Sequence, residues 1–82
     1  VAVRRWYHQA RWQALRQQVL ADRPLCVDCE REGRAEQATE IDHIIPHDGD
    51  VARFYDRANL QPLCARHHSA KTRREQLRPT GG

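Results

Sequence analysis

Residues 41–50, IDHIIPHDGD, place Asp42, His43 and His47 in one of the few apolar runs of a polar 82-residue chain. Burying such groups costs roughly 1–3 kcal/mol each unless a partner satisfies them. Two imidazoles and a carboxylate so close together therefore need hydrogen-bond partners, a metal ion or a substrate. Around them, Thr39, Ile41, Ile44 and Ile45 are β-branched. The stretch ATEIDHII reads as a strand stopped by Pro46, with HDGD as the loop after it.

Working outward, the run is bracketed by two short-spaced pairs, Cys26-x-x-Cys29 and Cys64-x-x-His67, separated by the 34 residues from Glu30 to Leu63. A tetrahedral zinc site needs this pattern: each pair supplies two ligands from one knuckle or helix end, and the chain between them closes the fold. Three thiols can also serve as small buried hydrophobes. A redox role for Cys26 and Cys29 lacks the βαβ surroundings it needs. With three cysteines, a complete set of intrachain disulfides is impossible, so metal binding in a reducing compartment is the expectation.

The remaining elements follow from periodicity. Residues 4–22 read as a helix, with Trp12, Leu15, Val19 and Leu20 as its core stripe and Arg4, Arg5, Arg11 and Arg16 flanking it. DRPLC is a turn into the first cysteine pair, and EREGRAEQ is a polar loop pivoting on Gly33. VARFYDRA is a short helix, and NLQPLC is extended because Pro62 does not suit a helix interior. ARHHSAKTRREQL is a helix that runs out before Pro79, leaving PTGG as a frayed tail. No repeat or second domain is visible.

Bulk properties agree with a small metal-stabilised domain. The chain is 39% hydrophobic and 30% charged, with mean hydropathy −0.91 and Phe54 as its only Phe. A domain this short seldom builds a self-sufficient core without a metal, disulfides or a partner. The net charge is +3 and the pI about 9.1. Basic residues crowd both ends, while Asp28, Glu30, Glu32, Glu36 and Glu40 lie between them. A polyanionic partner and an ordinary solvated surface both fit that balance. No apolar stretch is long enough to span a membrane, and no secretory leader is expected. The chain opens on Val1 and contains no Met, which suggests trimming.

If His67 goes to zinc, His68 projects about 100° further around its helix and is free to meet the strand carrying Asp42 and His43. A carboxylate and an imidazole make a two-ligand site with open positions for a divalent ion, and a second imidazole beside it can act as general base. Adjacent residues on an ideal strand face opposite ways. Asp42 and His43 can therefore approach one phosphate only if the strand bends or ends there.

LCVDC, IDHIIPHDGD, NLQPLCARHH and the KT at 71–72 fall in an order and spacing that resembles the HNH endonuclease family, over about residues 10–73. The His-Asn-His signature matches His43, Asn59 and His68, and the wider pattern is similar to small phage-associated members. The resemblance implies an α+β fold: a zinc-stabilised ββα-metal domain with an N-terminal helix (1–24), a zinc-clamped core (25–74) and a tail (75–82). It implies that His43 is the general base, that Asp42 and His68 hold one catalytic divalent ion (Mg²⁺, Mn²⁺ or another transition metal), and that Asn59 orients the base by holding the loop between the strands. Cys26, Cys29 and Cys64 match structural zinc positions. His67 stands where many members carry a fourth cysteine, which leaves open a swap of duties between His67 and His68.

The implied activity is metal-dependent hydrolysis of DNA, by nicking as a monomer, to 5′-phosphate and 3′-hydroxyl ends in a bacterial or phage-infected cytoplasm. Arg66, Lys71, Arg73 and Arg74 are candidate phosphate contacts, and His47 is a substrate-loop contact, an auxiliary metal contact or an exposed residue. The competing expectations are a catalytically silent, zinc-stabilised nucleic-acid-binding module and an accessory to phage packaging proteins.

Overall fold

The computed structural model describes residues 3–77, with side chains from Arg5 onward. Of the tail expected at 75–82, residues 78–82 lie outside the described residues, as does the side chain of Arg4, while Glu75 and Gln76 belong to the last helix. The elements run α1 (Val3–His8), α2 (Ala10–Asp22), α3 (Val27–Arg31), β1 (Glu40–His43), α4 (Val51–Phe54), a 3-10 turn (Arg57–Asn59), β2 (Leu60–Leu63) and α5 (Ala65–Gln76).

β1 and β2 form an antiparallel pair in which Glu40 faces Leu63, Ile41 faces Pro62, Asp42 faces Gln61 and His43 faces Leu60. Pro62 is tolerated because each strand of a two-stranded sheet has an open edge that needs no N–H donor. Cys64 caps α5, which follows β2 directly and completes a ββα unit. The strand is shorter than ATEIDHII implied. Past His43, the main chain leaves the ladder and is held by Asn59: Ile44 N donates to Asn59 O at 2.8 Å.

The N-terminal helix is also not continuous. Gln9 is extended (φ −72°, ψ 146°) and separates α1 from α2. No Gly or Pro causes this break. It lets Trp6 and Tyr7 of α1 turn onto Phe54, at ring separations of 5.1 and 4.9 Å, while Trp12 of α2 packs on the same ring at 4.7 Å. Aromatic burial outweighs the cost of one interrupted helix turn. Trp12, Val19, Ile41, Phe54 and Leu60 form this core, with Leu15 and Leu20 packed against it, so the α2 stripe is core packing.

A second, separate cluster comprises Cys26, Cys29, Leu63 and Cys64. The segment leading into it is clamped as a loop, with Cys26 N donating to Glu36 O and Ala38 N to Pro24 O, both at 2.8 Å. Within that loop Cys26 caps and Cys29 lies on α3, a five-residue helix whose last two residues begin the stretch EREGRAEQ expected as loop. Each half of the domain has a small core, and one of them is built of thiols.

Candidate functional site

The thiol cluster is the first centre. Cys26 caps α3 and Cys29 lies within it, so the main-chain N–H of Cys29 reaches Cys26 Sγ at 3.4 Å. Cys64 caps α5, and His67 follows three residues later on the same face. One ligand atom from each of Cys26, Cys29, Cys64 and His67 lies within 4.8 Å of the others, and all three cysteines are free and buried. A Cys3His donor set converging in this way fits zinc.

His67, and not His68, completes the set. The carboxylates of Glu32 and Asp28 lie 3.4 and 3.9 Å from the His67 ring nitrogens, and a metal-bound histidine typically donates its remaining N–H to such a group. The thiols differ in the metal-free chain. The Glu36 carboxylate accepts the Cys29 S–H at 2.8 Å and, with burial, pushes that thiol up to about 12. Burial also pushes Cys26 up, but hydrogen bonds from the Cys64 and Cys29 amides outweigh it and leave that thiol below its ordinary value.

The second centre is a cleft of about 400 Å³ lined by Tyr7, Ile41, Asp42, His43, Pro46, His47, Asp48, His68, Thr72 and Glu75. It brings His43 of β1 and His68 of α5 to one opening although they are 25 residues apart in sequence. β1 ends at His43, so adjacent Asp42 and His43 both reach the cleft.

Asp42 is 6% exposed. Its Oδ2 accepts from Gln61 Nε2 at 2.9 Å and pairs with Lys71 Nζ at 3.2 Å. Among the described residues no protein group bonds its Oδ1 or the ring of His68. A carboxylate oxygen and an imidazole on one cleft, both without a protein partner, are donors suited to a divalent ion such as magnesium or manganese.

His43 is stacked against Trp12 (5.4 Å, 15°), and its Nε2 lies 3.1 Å from Phe54 O. A carbonyl can only accept, so Nε2 carries the ring proton and Nδ1 keeps the lone pair. Burial holds the basicity of the ring below its ordinary value, and the positive charge of the nearby Lys71 acts in the same direction. The Phe54 carbonyl and Asp42 oppose them without reversing the shift. The ring is therefore neutral and directed, as a proton acceptor must be.

Asn59 fixes the loop that follows. Its Oδ1 accepts from Ile45 N at 2.9 Å and its Nδ2 donates to Ile45 O at 2.8 Å, with a longer contact to Arg53 O at 3.5 Å. One amide thus ties the chain just past His43 to the segment that ends in the Phe54 carbonyl.

The basic candidates separate. Arg73 and Arg74 are exposed on α5, and Arg66 is exposed but lies 3.7 Å from Glu32. Lys71 turns inward to Asp42, the His43 carbonyl at 3.0 Å and Glu75. His47 bonds Tyr7 and Gly49. Sequence reasoning missed Gln61, Glu75 and Tyr7. Glu75 had a signal, since it lies seven residues after His68 on one helix face. Tyr7 had none.

Comparison with known proteins supplies the context. A profile described as HNH endonuclease matches residues 26–74. The crystal structure of the HNH endonuclease of deep-sea thermophilic bacteriophage GVE2 with manganese ion aligns with a TM-score of 0.81 at 37% identity, covering 90% of this chain and 82% of that one. No curated protein matches the chain.

Proposed function

The chain belongs to the HNH endonuclease family, and from that premise we propose a DNA phosphodiesterase with His43 as general base and one divalent ion held by Asp42 and His68. The observation that carries this reading is the His43 ring, whose Nε2–H is committed to Phe54 O and whose Nδ1 has no partner among the described residues, beside the Asp42–His68 cleft.

A phosphodiester is anionic and resists attack, so hydrolysis needs a base on the water side and positive charge on the other. His43 Nδ1 takes a proton from water, and the water oxygen bonds to phosphorus as the bond to the 3′-oxygen breaks. That leaves a 5′-phosphate, and the departing 3′-oxygen takes a proton from solvent to become a 3′-hydroxyl. Phe54 O stabilises the imidazolium through the Nε2–H bond, and Asn59 holds the loop that keeps this alignment. Asp42, steadied by Gln61 and Lys71, and His68 would hold the catalytic ion. When bound, a divalent ion supplies charge to the phosphate and the departing oxygen. Manganese is the ion named with the GVE2 endonuclease, which supports Mn²⁺ or Mg²⁺ in this role. Cys26, Cys29, Cys64 and His67 would hold a structural zinc.

One cleft per chain cuts one strand per encounter, so a monomer nicks. Arg73 and Arg74 are suited to phosphate contact without base reading. Three free thiols fit a reducing compartment, and no helix of the described residues is long and apolar enough to cross a membrane. The phage origin of the GVE2 relative supports a phage role, with packaging proteins as candidate neighbours.

The test is a supercoiled-plasmid assay on zinc-replete protein with and without Mn²⁺, wild type beside His43→Ala. Nicking that needs both the ion and His43, with a loss of about 10²–10⁴ in the variant, supports the reading. DNA binding without cleavage in any divalent ion would leave the silent binding module.

A further inference from the structure

We propose that Tyr7 is a substrate-binding residue of the nuclease cleft, its phenolic O–H donating to a non-bridging oxygen of the scissile phosphodiester, and that His47 is the positioning residue that aims this proton. The inference rests on the nuclease reading above and adds a contact from α1, outside the residues that match the family profile.

Asp48 and Gly49 take successive positive φ values, 51° and 82°, which fold the loop back on itself. The Gly49 N–H then donates to His47 Nδ1 at 3.1 Å. A nitrogen that accepts must hold a lone pair, so the ring is neutral and its proton sits on Nε2. That proton points at Tyr7 Oη, 3.1 Å away. Both ring nitrogens are thereby occupied, which leaves His47 no lone pair for a metal ion.

The consequence falls on Tyr7. Its oxygen is the acceptor in this pair, so its own hydrogen must find another partner. Among the described residues none accepts it, and Tyr7 lines the same cleft as Asp42, His43 and His68. The ring is held edge-on by Trp12 (5.6 Å) and Phe54 (4.9 Å), and lies 6.4 Å from the His43 ring. Burial, followed by the charge of Asp42, raises the phenol above its ordinary value, so the proton stays on at neutral pH. A neutral O–H donor without a protein acceptor among the described residues, on a ring partly open to solvent beside a general base and a pair of ion ligands, matches the anionic oxygens of a phosphodiester.

The experiment is single-turnover plasmid nicking by zinc-loaded protein in saturating Mn²⁺, read together with thermal midpoint and Mn²⁺ affinity by calorimetry. Tyr7→Phe keeps the ring and removes only the hydroxyl. Its rate should fall about ten- to a hundredfold, the range for one hydrogen bond to a charged acceptor, with melting and Mn²⁺ affinity unchanged. His47→Leu should cost rate in the wild-type background and nothing further in the Tyr7→Phe background. His47→Gln, which keeps an N–H donor, should recover part of the loss.

Tyr7→Phe nicking at the wild-type rate overturns the proposal, as does a loss that tracks melting or Mn²⁺ affinity. If Tyr7→Phe does not fold, equal rates for His47→Leu and His47→Gln overturn it. A wild-type protein that never nicks overturns the nuclease reading itself, whereas an active wild type with an indifferent Tyr7→Phe overturns this inference alone.

Discussion

Asn59 holds Ile45 by both halves of its side-chain amide, accepting the Ile45 N–H at 2.9 Å and donating to the Ile45 carbonyl at 2.8 Å. The pairing continues the β1–β2 ladder by one step with a side chain in place of a strand. Because His43 is the last residue of β1, everything that fixes the chain immediately after it also fixes the direction of its ring.

Asn59→Ala should therefore cost stability and rate together. Removing the amide leaves the part-buried Ile45 N–H and carbonyl without their partner, at about 1–3 kcal/mol for such a group. Asn59→Asp keeps the acceptor and loses the donor, so it should fall between alanine and wild type. Urea unfolding of the zinc-loaded proteins measures this, and unchanged midpoints for both variants would remove Asn59 from the loop's support.

The thiol cluster leads to a prediction about metal removal. Cys26, Cys29, Leu63 and Cys64 make one of the two small cores, and apolar burial on that side is slight. Structural zinc binding is worth roughly 10–16 kcal/mol in small zinc peptides, as much as the whole net stability of an ordinary domain, about 5–15 kcal/mol. A strong chelator, or Cys64→Ser, should abolish cooperative unfolding as followed by circular dichroism. A chelated protein that still melts cooperatively near its original midpoint would show that the apolar cores suffice.

What the sequence made legible was the chemistry carried by spacing. The two ligand pairs, a strand carrying Asp42 and His43 and the helix after Cys64 are local patterns, and His43, Asn59 and His68 fall among them in order, although the strand stops at His43 and not at Pro46. What stayed hidden was set by contacts between distant segments. The break at Gln9 has no local cause; it follows from Trp6 and Tyr7 packing on Phe54. Gln61 became a partner of Asp42 only through cross-strand register, and Tyr7 reaches the cleft from 35 residues before Asp42. Lys71 looked like an outward cation in a basic run, yet its flexible stem lets it turn inward to two carboxylates and a carbonyl.

That inward lysine has a consequence for ion binding. Lys71 Nζ lies 3.2 Å from Asp42 Oδ2 and only 15% of its side chain is exposed, so its charge sits where an arriving cation is repelled. Lys71→Met keeps the apolar stem and removes the charge. Mn²⁺ should bind severalfold more tightly to the zinc-loaded variant by calorimetry, while thermal stability falls because Asp42, Glu75 and the His43 carbonyl lose a shared donor. Weaker Mn²⁺ binding would mean instead that Lys71 chiefly holds Asp42 in position.

Arg73 and Arg74 are exposed near the end of α5, directly after the cleft-lining Thr72 and more than a turn beyond His68. If they neutralise phosphates, each contact releases condensed counterions and contributes about 0.9 to the slope of log affinity against log salt. Arg73→Gln and Arg74→Gln should each lower that slope by about 1 and weaken binding similarly for unrelated duplexes, since phosphate contacts carry no base information. Arg66→Gln should change it less, because Glu32 lies 3.7 Å from that guanidinium and already competes for its charge. Fluorescence anisotropy across a salt series in a cleavage-silent His43→Ala background separates these outcomes. Equal slopes for all three variants and the parent would take α5 off the DNA.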